Sequence, residues 1–324
     1  MQAIVARQYG SPEVLHLENI DRPIPGPHQV LLRVRAASLN PLDYHLLHGA
    51  PLVRLFAGFA RPRKPARGVD VAGVVEATGP GVTRFKPGDA VFGSCQGAFA
   101  EYVCTAESAV IPLPQGVPFE HAAAVPVAGV TALQGLRDKG RIHPGQNVLV
   151  HGASGGVGTF AVQIAKILGA HVTAVTSPAN QDFVRALGAD FAIDYTQQDF
   201  TQSGRRYDII FDCYASHSLA DCRRALEPTG IYVGAGGPMP GLPRFLLRLL
   251  ATLALAPFRK QKTPLFMAKM NAPDLSRLAS WMESGQLTPV LDRGYPLEQL
   301  PEALRYLETR QARGKVVILL NHAG

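Results

Sequence analysis

Apolar and polar positions alternate through the first third of the chain. MQAIVARQYG reads as a strand, and the Val/Leu/Ile-rich parts of PIPGPHQVLLRVRAAS and GVVEATGPGVTRFKPGDAVFG are separated by Pro/Gly turns. Pro87-Gly88-Asp89 forms a tight turn between two apolar runs. Many short strands with regular turns predict a barrel-like β domain over roughly the first 115 residues.

Near residue 145 the period changes. NVLVHGA is an apolar run that stops at glycine, as a buried parallel strand does. GGVGTFAVQIAKILGA follows with apolar residues at helical spacing and a closing glycine. HVTAV, QDFVRALGAD, FAIDY, YDIIFDCY, SLADCRRALEPTG and IYVGAGG then read as strand, helix, strand, strand, helix, strand. That alternation predicts a parallel, doubly wound sheet. The tail returns to a helix, PLEQLPEALRYLETR, and a last strand, KVVILL, which is expected to fold back onto the β domain. Residues 243–262 hold a dense apolar run flanked by Arg244, Arg248, Arg259 and Lys260. It is too short to span a bilayer. Two readings stand, a membrane-surface helix and a buried or dimer-facing one.

With 324 residues, two domains are expected. The chain is 47% hydrophobic and 18% charged, which argues for a packed core and against disorder. The start carries no basic and apolar leader pattern. Cys95, Cys104, Cys213 and Cys222 show no C-x-x-C spacing, so four reduced thiols and a cytoplasmic location are expected. The formal charge of +7 comes from spread residues with no basic run interleaved with aromatics, which argues against nucleic acid as a partner. A general positive field that attracts an anionic cofactor accounts for it.

The strongest local signal is His151-Gly152-Ala153-Ser154-Gly155-Gly156-Val157-Gly158. It lies between a predicted strand and a predicted helix, the setting that a dinucleotide fingerprint requires. Gly155 lets the backbone approach a pyrophosphate, Gly158 lets helix and strand pack closely, and the helix start offers free N–H groups. An acid about 20 residues on holds the ribose 2′-OH of NAD. Here that place reads Thr176-Ser177-Pro178-Ala179-Asn180. Hydroxyls and an amide donate to a 2′-phosphate, whereas a carboxylate repels it. NADPH is expected over NADH, with Asp182 the nearest acid in sequence.

SLNPLD, GVDVAGVVEATGPGVTRFKPGDAVFG, the A-x-G-x-x-G loop, LGADFAIDY and GKVVILL, in this order, resemble the medium-chain dehydrogenase/reductase superfamily in its quinone oxidoreductase branch. The finer likeness is to reticulon-4-interacting-protein-like and chloroplast-envelope quinone-oxidoreductase-like proteins. The resemblance implies an α/β protein with a GroES-like β-barrel catalytic domain (residues 1–120 and 271–324) and a Rossmann doubly wound parallel-sheet cofactor domain (residues 121–270). It also implies an active site in the cleft and a homodimer joined through the Rossmann sheets. The zinc ligands of the alcohol-dehydrogenase branch match Asn40 and Val69 here, which do not suit zinc. The four-cysteine structural lobe is missing, because Gly97-Ala98-Phe99-Ala100-Glu101-Tyr102 follows Cys95. No zinc is expected.

By the same resemblance, Asn40 and Thr131 lie near the nicotinamide, and Ser154, Gly155, Gly156 and Val157 cradle the pyrophosphate. Thr176, Ser177, Asn180 and Tyr195 surround the 2′-phosphate. Gly234, Ala235, Gly236 and Lys315 are further cofactor contacts. The family often has a lysine where Asn180 stands and a tyrosine near His45.

The implied activity is hydride transfer from NADPH to a quinone or other conjugated carbonyl, an enone or alkenal. A fixed donor must then stabilise the developing oxyanion, an effect of about 3 kcal/mol. Tyr44 and His45, which follow Asn40, are the candidate proton donors, and His45 titrates near neutrality when unperturbed. The alternative is an NADPH-binding interaction or membrane-surface protein with little turnover, carried by residues 243–262.

Overall fold

The computed structural model describes residues 1–49, 54, 58–62, 65–236, 260–264 and 266–320. The chain divides into two compact units, Met1–Val130 with Met270–Gly324, and Thr131–Lys269.

In the first unit, β1 (Gln2–Ala6) and β2 (Leu15–Asn19) pair antiparallel. Beside this ribbon lies a seven-stranded sheet. Its order runs β13 (Leu291–Pro296), β14 (Lys315–Leu319), β3 (Gln29–Ser38), β4 (Asp70–Thr78), β5 (Ala90–Ser94) and β7 (Val110–Pro112), and β6 (Tyr102–Ala106) also pairs with β3. The tail does return to the β domain, because β14 runs antiparallel to β3. The expected turn joins β4 to β5, with Gly88 at φ 96° and the Asp89 carboxylate accepting from Lys86 N. Inward residues such as Ile4, Leu32, Val34, Val71, Phe99 and Val316 form one core, closed by Leu300 and Leu304 of helix Leu300–Glu308.

In the second unit, five strands are parallel: β10 (Phe191–Asp194), β9 (His171–Thr176), β8 (Asn147–His151), β11 (Tyr207–Asp212) and β12 (Leu226–Gly234), in that spatial order. Helix Gly156–Ile167 buries Phe160, Ala161, Val162, Ile164 and Ala165. The helix that begins at Leu219 is shorter than the sequence reading SLADCRRALEPTG. It stops at Arg224, and Leu226 already belongs to β12. Pro228 disfavours helix at the residue before it, and the buried Leu226 pairs opposite Tyr207 across the sheet.

Of the segment 243–262, residues 243–259 lie outside the described residues; Lys262 is described and bridges to Ile231. Among the described residues, no helix is long and apolar enough to cross a membrane. All four cysteines are free thiols, Cys95 and Cys222 buried, Cys104 and Cys213 half-buried.

Candidate active site

In the parallel sheet the strand order reverses between β8 and β11, since the chain builds outward to β9 and β10 on one side and to β11 and β12 on the other. Ligands of such sheets bind outside the carboxyl ends of the strands at this reversal. The glycine loop leaves β8 there. Gly152 takes φ 77°, and Gly155 caps helix Gly156–Ile167 at φ −81°, ψ 176°. A methyl on Gly158 would run into Gly152 O and come within 2.8 Å of Ala153 backbone atoms. A methyl on Gly155 would meet nothing nearer than Gly152 O at 3.5 Å. The space in front of the helix start is therefore open, and the first-turn N–H groups of Gly156, Val157 and Gly158 lack intrahelical acceptors. These features fit a diphosphate.

The ribose-side candidates gather at the ends of β9 and β10. Thr176 Oγ1 donates to Ser154 Oγ at 2.9 Å, which ties the strand end to the glycine loop. Asn180 Nδ2 donates to Ser177 Oγ at 3.1 Å, and Tyr195 N donates to Thr176 O at 3.3 Å. The Tyr195 side chain is exposed. Asp182 is turned to Arg185 at 3.0 Å. Sequence reasoning missed one carboxylate at this end. Asp194 is 7% exposed and stands beside Thr176 on the neighbouring strand, and its Oδ1 is turned into its own loop by Thr196 N and Oγ1.

The far side of the reversal was also missed. Asp212, fully buried, ends β11. Its Oδ1 accepts from Tyr214 N at 2.9 Å and Ala215 N at 2.8 Å, and its Oδ2 accepts from Tyr232 Oη at 2.8 Å. His151 Nδ1 lies 3.0 Å from Oδ1, and His151 Nε2 lies 3.4 Å from Ser216 Oγ. Burial alone would raise the Asp212 carboxyl, but His151 and the two backbone donors outweigh it and hold it at about 2. The turn so anchored carries Cys213 and Tyr214 against Gly152, within 3.4–3.5 Å of where a methyl on that glycine would sit. Gly236 packs against Cys213, and Ala235 N donates to Asp212 O, so Gly234, Ala235 and Gly236 adjoin the same turn. The signal in sequence was an acid ending an apolar strand, YDIIFD, which reads as well as an ordinary strand end.

In the first unit, Asn40 caps helix Pro41–His48, which carries Tyr44 and His45. Asn40 N donates to Asp43 Oδ2 at 2.8 Å. The Asn40 side chain, 2% exposed, meets two partners far away in sequence: Nδ2 donates to Asp70 Oδ2 at 2.9 Å, and Oδ1 accepts from Lys315 Nζ at 2.6 Å. Lys315 Nζ also donates to Leu39 O at 2.9 Å, so the ammonium is turned into this cluster. Burial pushes the Lys315 ammonium down and the Asp70 carboxyl up, each opposed by the other's charge. Tyr44 is half-buried with its ring 4.1 Å from that of His48. Burial, then His48 and Arg310, lower the His45 pKa. At neutral pH His45 is therefore an uncharged N–H donor rather than an imidazolium. Thr131 is 8% exposed on helix Pro126–Gln134 and opens the second unit.

Asp43 Oδ1 is buried with no hydrogen-bond partner among the described residues. Burial, with Asp70 adding to it and Lys315 and Arg67 opposing, raises this carboxyl to about 7. A carboxyl with a raised folded value binds a proton that the unfolded chain has lost, so it lowers stability as pH climbs from about 4 to about 7. Asp43→Asn removes that window. It is expected to match wild type at pH ~3 and to exceed it by a few kcal/mol at pH ~8 in urea melts, because the buried charge is gone. Equal stability at both pH values would reject the raised value.

Two family descriptions match the chain, an alcohol dehydrogenase GroES-like domain over residues 26–115 and a zinc-binding dehydrogenase over residues 187–318. A quinone oxidoreductase from Lama guanicoe is 36% identical, covering 99% of this chain and 98% of its own. An NADPH-dependent alkenal/one oxidoreductase, chloroplastic, from Arabidopsis thaliana is 34% identical over 98% of this chain and 79% of its own. The solved quinone oxidoreductase from Coxiella burnetii superposes with a TM-score of 0.86 at 30% identity, over 99% of both chains. Glycine loop, sheet order and full-length identity agree, and the chain belongs to the medium-chain dehydrogenase/reductase superfamily, in its quinone oxidoreductase branch.

Proposed function

We propose that this chain uses NADPH to reduce a quinone or another conjugated carbonyl, an enone or alkenal, without zinc. The observation that carries the reading is the open helix start at Gly155, with hydroxyl and amide side chains rather than a free acid at the end of β9. Ser177, Asn180 and Tyr195 offer donors to a 2′-phosphate, and Asp194 has Oδ1 turned away into its own turn. The names of the relatives point the same way, to quinones and to alkenals or enones with NADPH.

Bound NADPH supplies a hydride, and the oxygen of the acceptor takes up the charge and then a proton. A conjugated acceptor spreads that charge, so hydrogen bonds are enough to steady it, whereas an isolated ketone favours a Lewis acid. What supports a zinc-free reaction is the donor set. Val69 is apolar, and Asn40 Oδ1 already accepts from the Lys315 ammonium, so a divalent cation there would face a fixed positive charge. Asn40, Tyr44 and a neutral His45 are the donors for the oxygen. A homodimer and a cytoplasmic location belong to the same reading.

Purified protein is expected to oxidise NADPH in the presence of a simple benzoquinone or an α,β-unsaturated ketone. The rate should be unchanged by chelator, and kcat/KM should be lower with NADH. No turnover with any such acceptor sinks the reading. Loss of turnover on chelation, restored by zinc, sinks its metal-free part.

A further inference from the structure

Three side chains from distant parts of the first unit meet in its interior: Asn40, Asp70 and Lys315, exposed by 2%, 0% and 3%. Asn40 and Lys315 are 275 positions apart. Stability does not explain such a group, since buried ions lose hydration and apolar residues pack there as well or better. What the group does fix is an amide. A carboxamide has two faces that differ only in which end donates and which accepts. Lysine only donates and an ionised aspartate only accepts. Lys315 Nζ on Oδ1 at 2.6 Å and Asp70 Oδ2 under Nδ2 at 2.9 Å therefore permit one orientation; the flipped one sets N–H against ammonium and oxygen against carboxylate.

The holders are themselves held. Asp70 Oδ2 also accepts from Ser38 Oγ at 2.8 Å, and Oδ1 accepts from Val127 N at 3.0 Å. Lys315 is tied to Leu39 O and lies 3.6 Å from Asp70 Oδ2. Asn40 N is clamped by Asp43. One hydrogen of the assembly is left over: Nδ2 carries two, and a single one is taken by Asp70. That second N–H sits between an ammonium on the amide oxygen and a carboxylate on its nitrogen, with no freedom to turn.

We propose that Lys315 and Asp70 are positioning residues for the reduction, locking the Asn40 carboxamide so that its second Nδ2 hydrogen meets the carbonyl oxygen of the acceptor. The inference rests on the quinone or enone reductase reading and names the donor within it. A preorganised donor helps because it is already aimed when the charge develops, and the loss of one lowers turnover on the order of 10²-fold. Lys315 touches neither acceptor nor reacting atom in this scheme and acts only through Asn40.

The test is steady-state turnover of a benzoquinone with NADPH by full-length Asn40→Ala, Lys315→Met and the Asn40→Ala/Lys315→Met pair, with melting temperature read alongside. Asn40→Ala and Lys315→Met should each lower kcat on the order of 10–100-fold with KM little changed. The pair should fall no further than Asn40→Ala alone, because the lysine then has nothing to aim. Multiplying losses in the pair would overturn the proposal. Lys315→Met buries an unpaired Asp70, so Asn40→Ala, which leaves the Lys315–Asp70 pair in place, guards against a variant that does not fold. It loses the N–H, and wild-type kcat in that variant would overturn the donor role. Wild-type protein that turns over no quinone or enone removes the reductase reading, and this proposal with it. Wild-type turnover with kcat unmoved in the Lys315→Met variant removes the proposal alone.

Discussion

Gly158→Val is expected to abolish measurable nucleotide binding and to destabilise the Thr131–Lys269 unit by about 3 kcal/mol or more. A methyl alone at Gly158 would run into Gly152 O and would lie 2.8 Å from both Ala153 C and Ala153 Cα. These are backbone atoms of the loop itself, so no side chain can rotate aside. The helix Gly156–Ile167 must lift off β8, and it carries the core residues Phe160, Val162 and Ile164 with it. Gly155→Ala is the control that separates folding from binding. Its backbone, at φ −81°, suits any residue, and its methyl would contact only Gly152 O at 3.5 Å. That variant should melt like wild type and yet bind NADPH at least tenfold more weakly, about 1.4 kcal/mol, because the methyl fills the space in front of the helix start. Fluorescence titration with NADPH and urea melts of both variants check this. Wild-type NADPH affinity in Gly155→Ala would place the diphosphate elsewhere.

The glycine loop was legible in sequence because its chemistry is local. Spacing, the apolar strand before it and the helical period after it all lie within about twenty residues. The β12 boundary was misread for the opposite reason: Leu226 is drawn into the core by its partner Tyr207 across the sheet, a contact no window contains. Asp212 escaped notice because its role follows from the order of strands. β8 and β11 are neighbours only once the sheet is built, and only then do His151 and Asp212 meet. Asn40 was named by its match to a zinc ligand and Lys315 as a cofactor contact; their pairing, with the Lys315 ammonium on Asn40 and Leu39, joins positions 275 apart that no window contains. The acid Asp194 is far from β9 along the chain and reaches Thr176 only sideways, through the pairing of β10 with β9. Sequence patterns thus reported which elements exist, while the charge pairs that tune the site arise from contacts at long range.

Asp212→Ala is expected to cost the second unit about 3–5 kcal/mol at neutral pH, the range for removing one partner of a buried ionic group. Three donors converge on this carboxylate, Tyr214 N, Ala215 N and Tyr232 Oη, and His151 Nδ1 lies 3.0 Å from it. His151 and Tyr232 are 4% and 6% exposed, so water does not replace the lost acceptor. Ala215 stands at φ 56°, a left-handed backbone that a non-glycine residue keeps only when something holds it, and its N–H to Asp212 is that hold. Release of the turn moves Cys213 and Tyr214 off Gly152, so weaker NADPH binding should accompany the loss of stability. The pH dependence distinguishes charge from packing. The carboxyl is held at about 2 in the folded chain against about 4 when unfolded, so its ionic stabilisation is present above pH ~4 and fades as pH falls toward 2. The gap between wild type and Asp212→Ala should therefore narrow by roughly 2 kcal/mol between pH 7 and pH 2. Urea melts at the two pH values measure it. A gap that stays constant would mean that Asp212 acts by shape and neutral hydrogen bonds, and that its negative charge contributes nothing to the turn over the glycine loop.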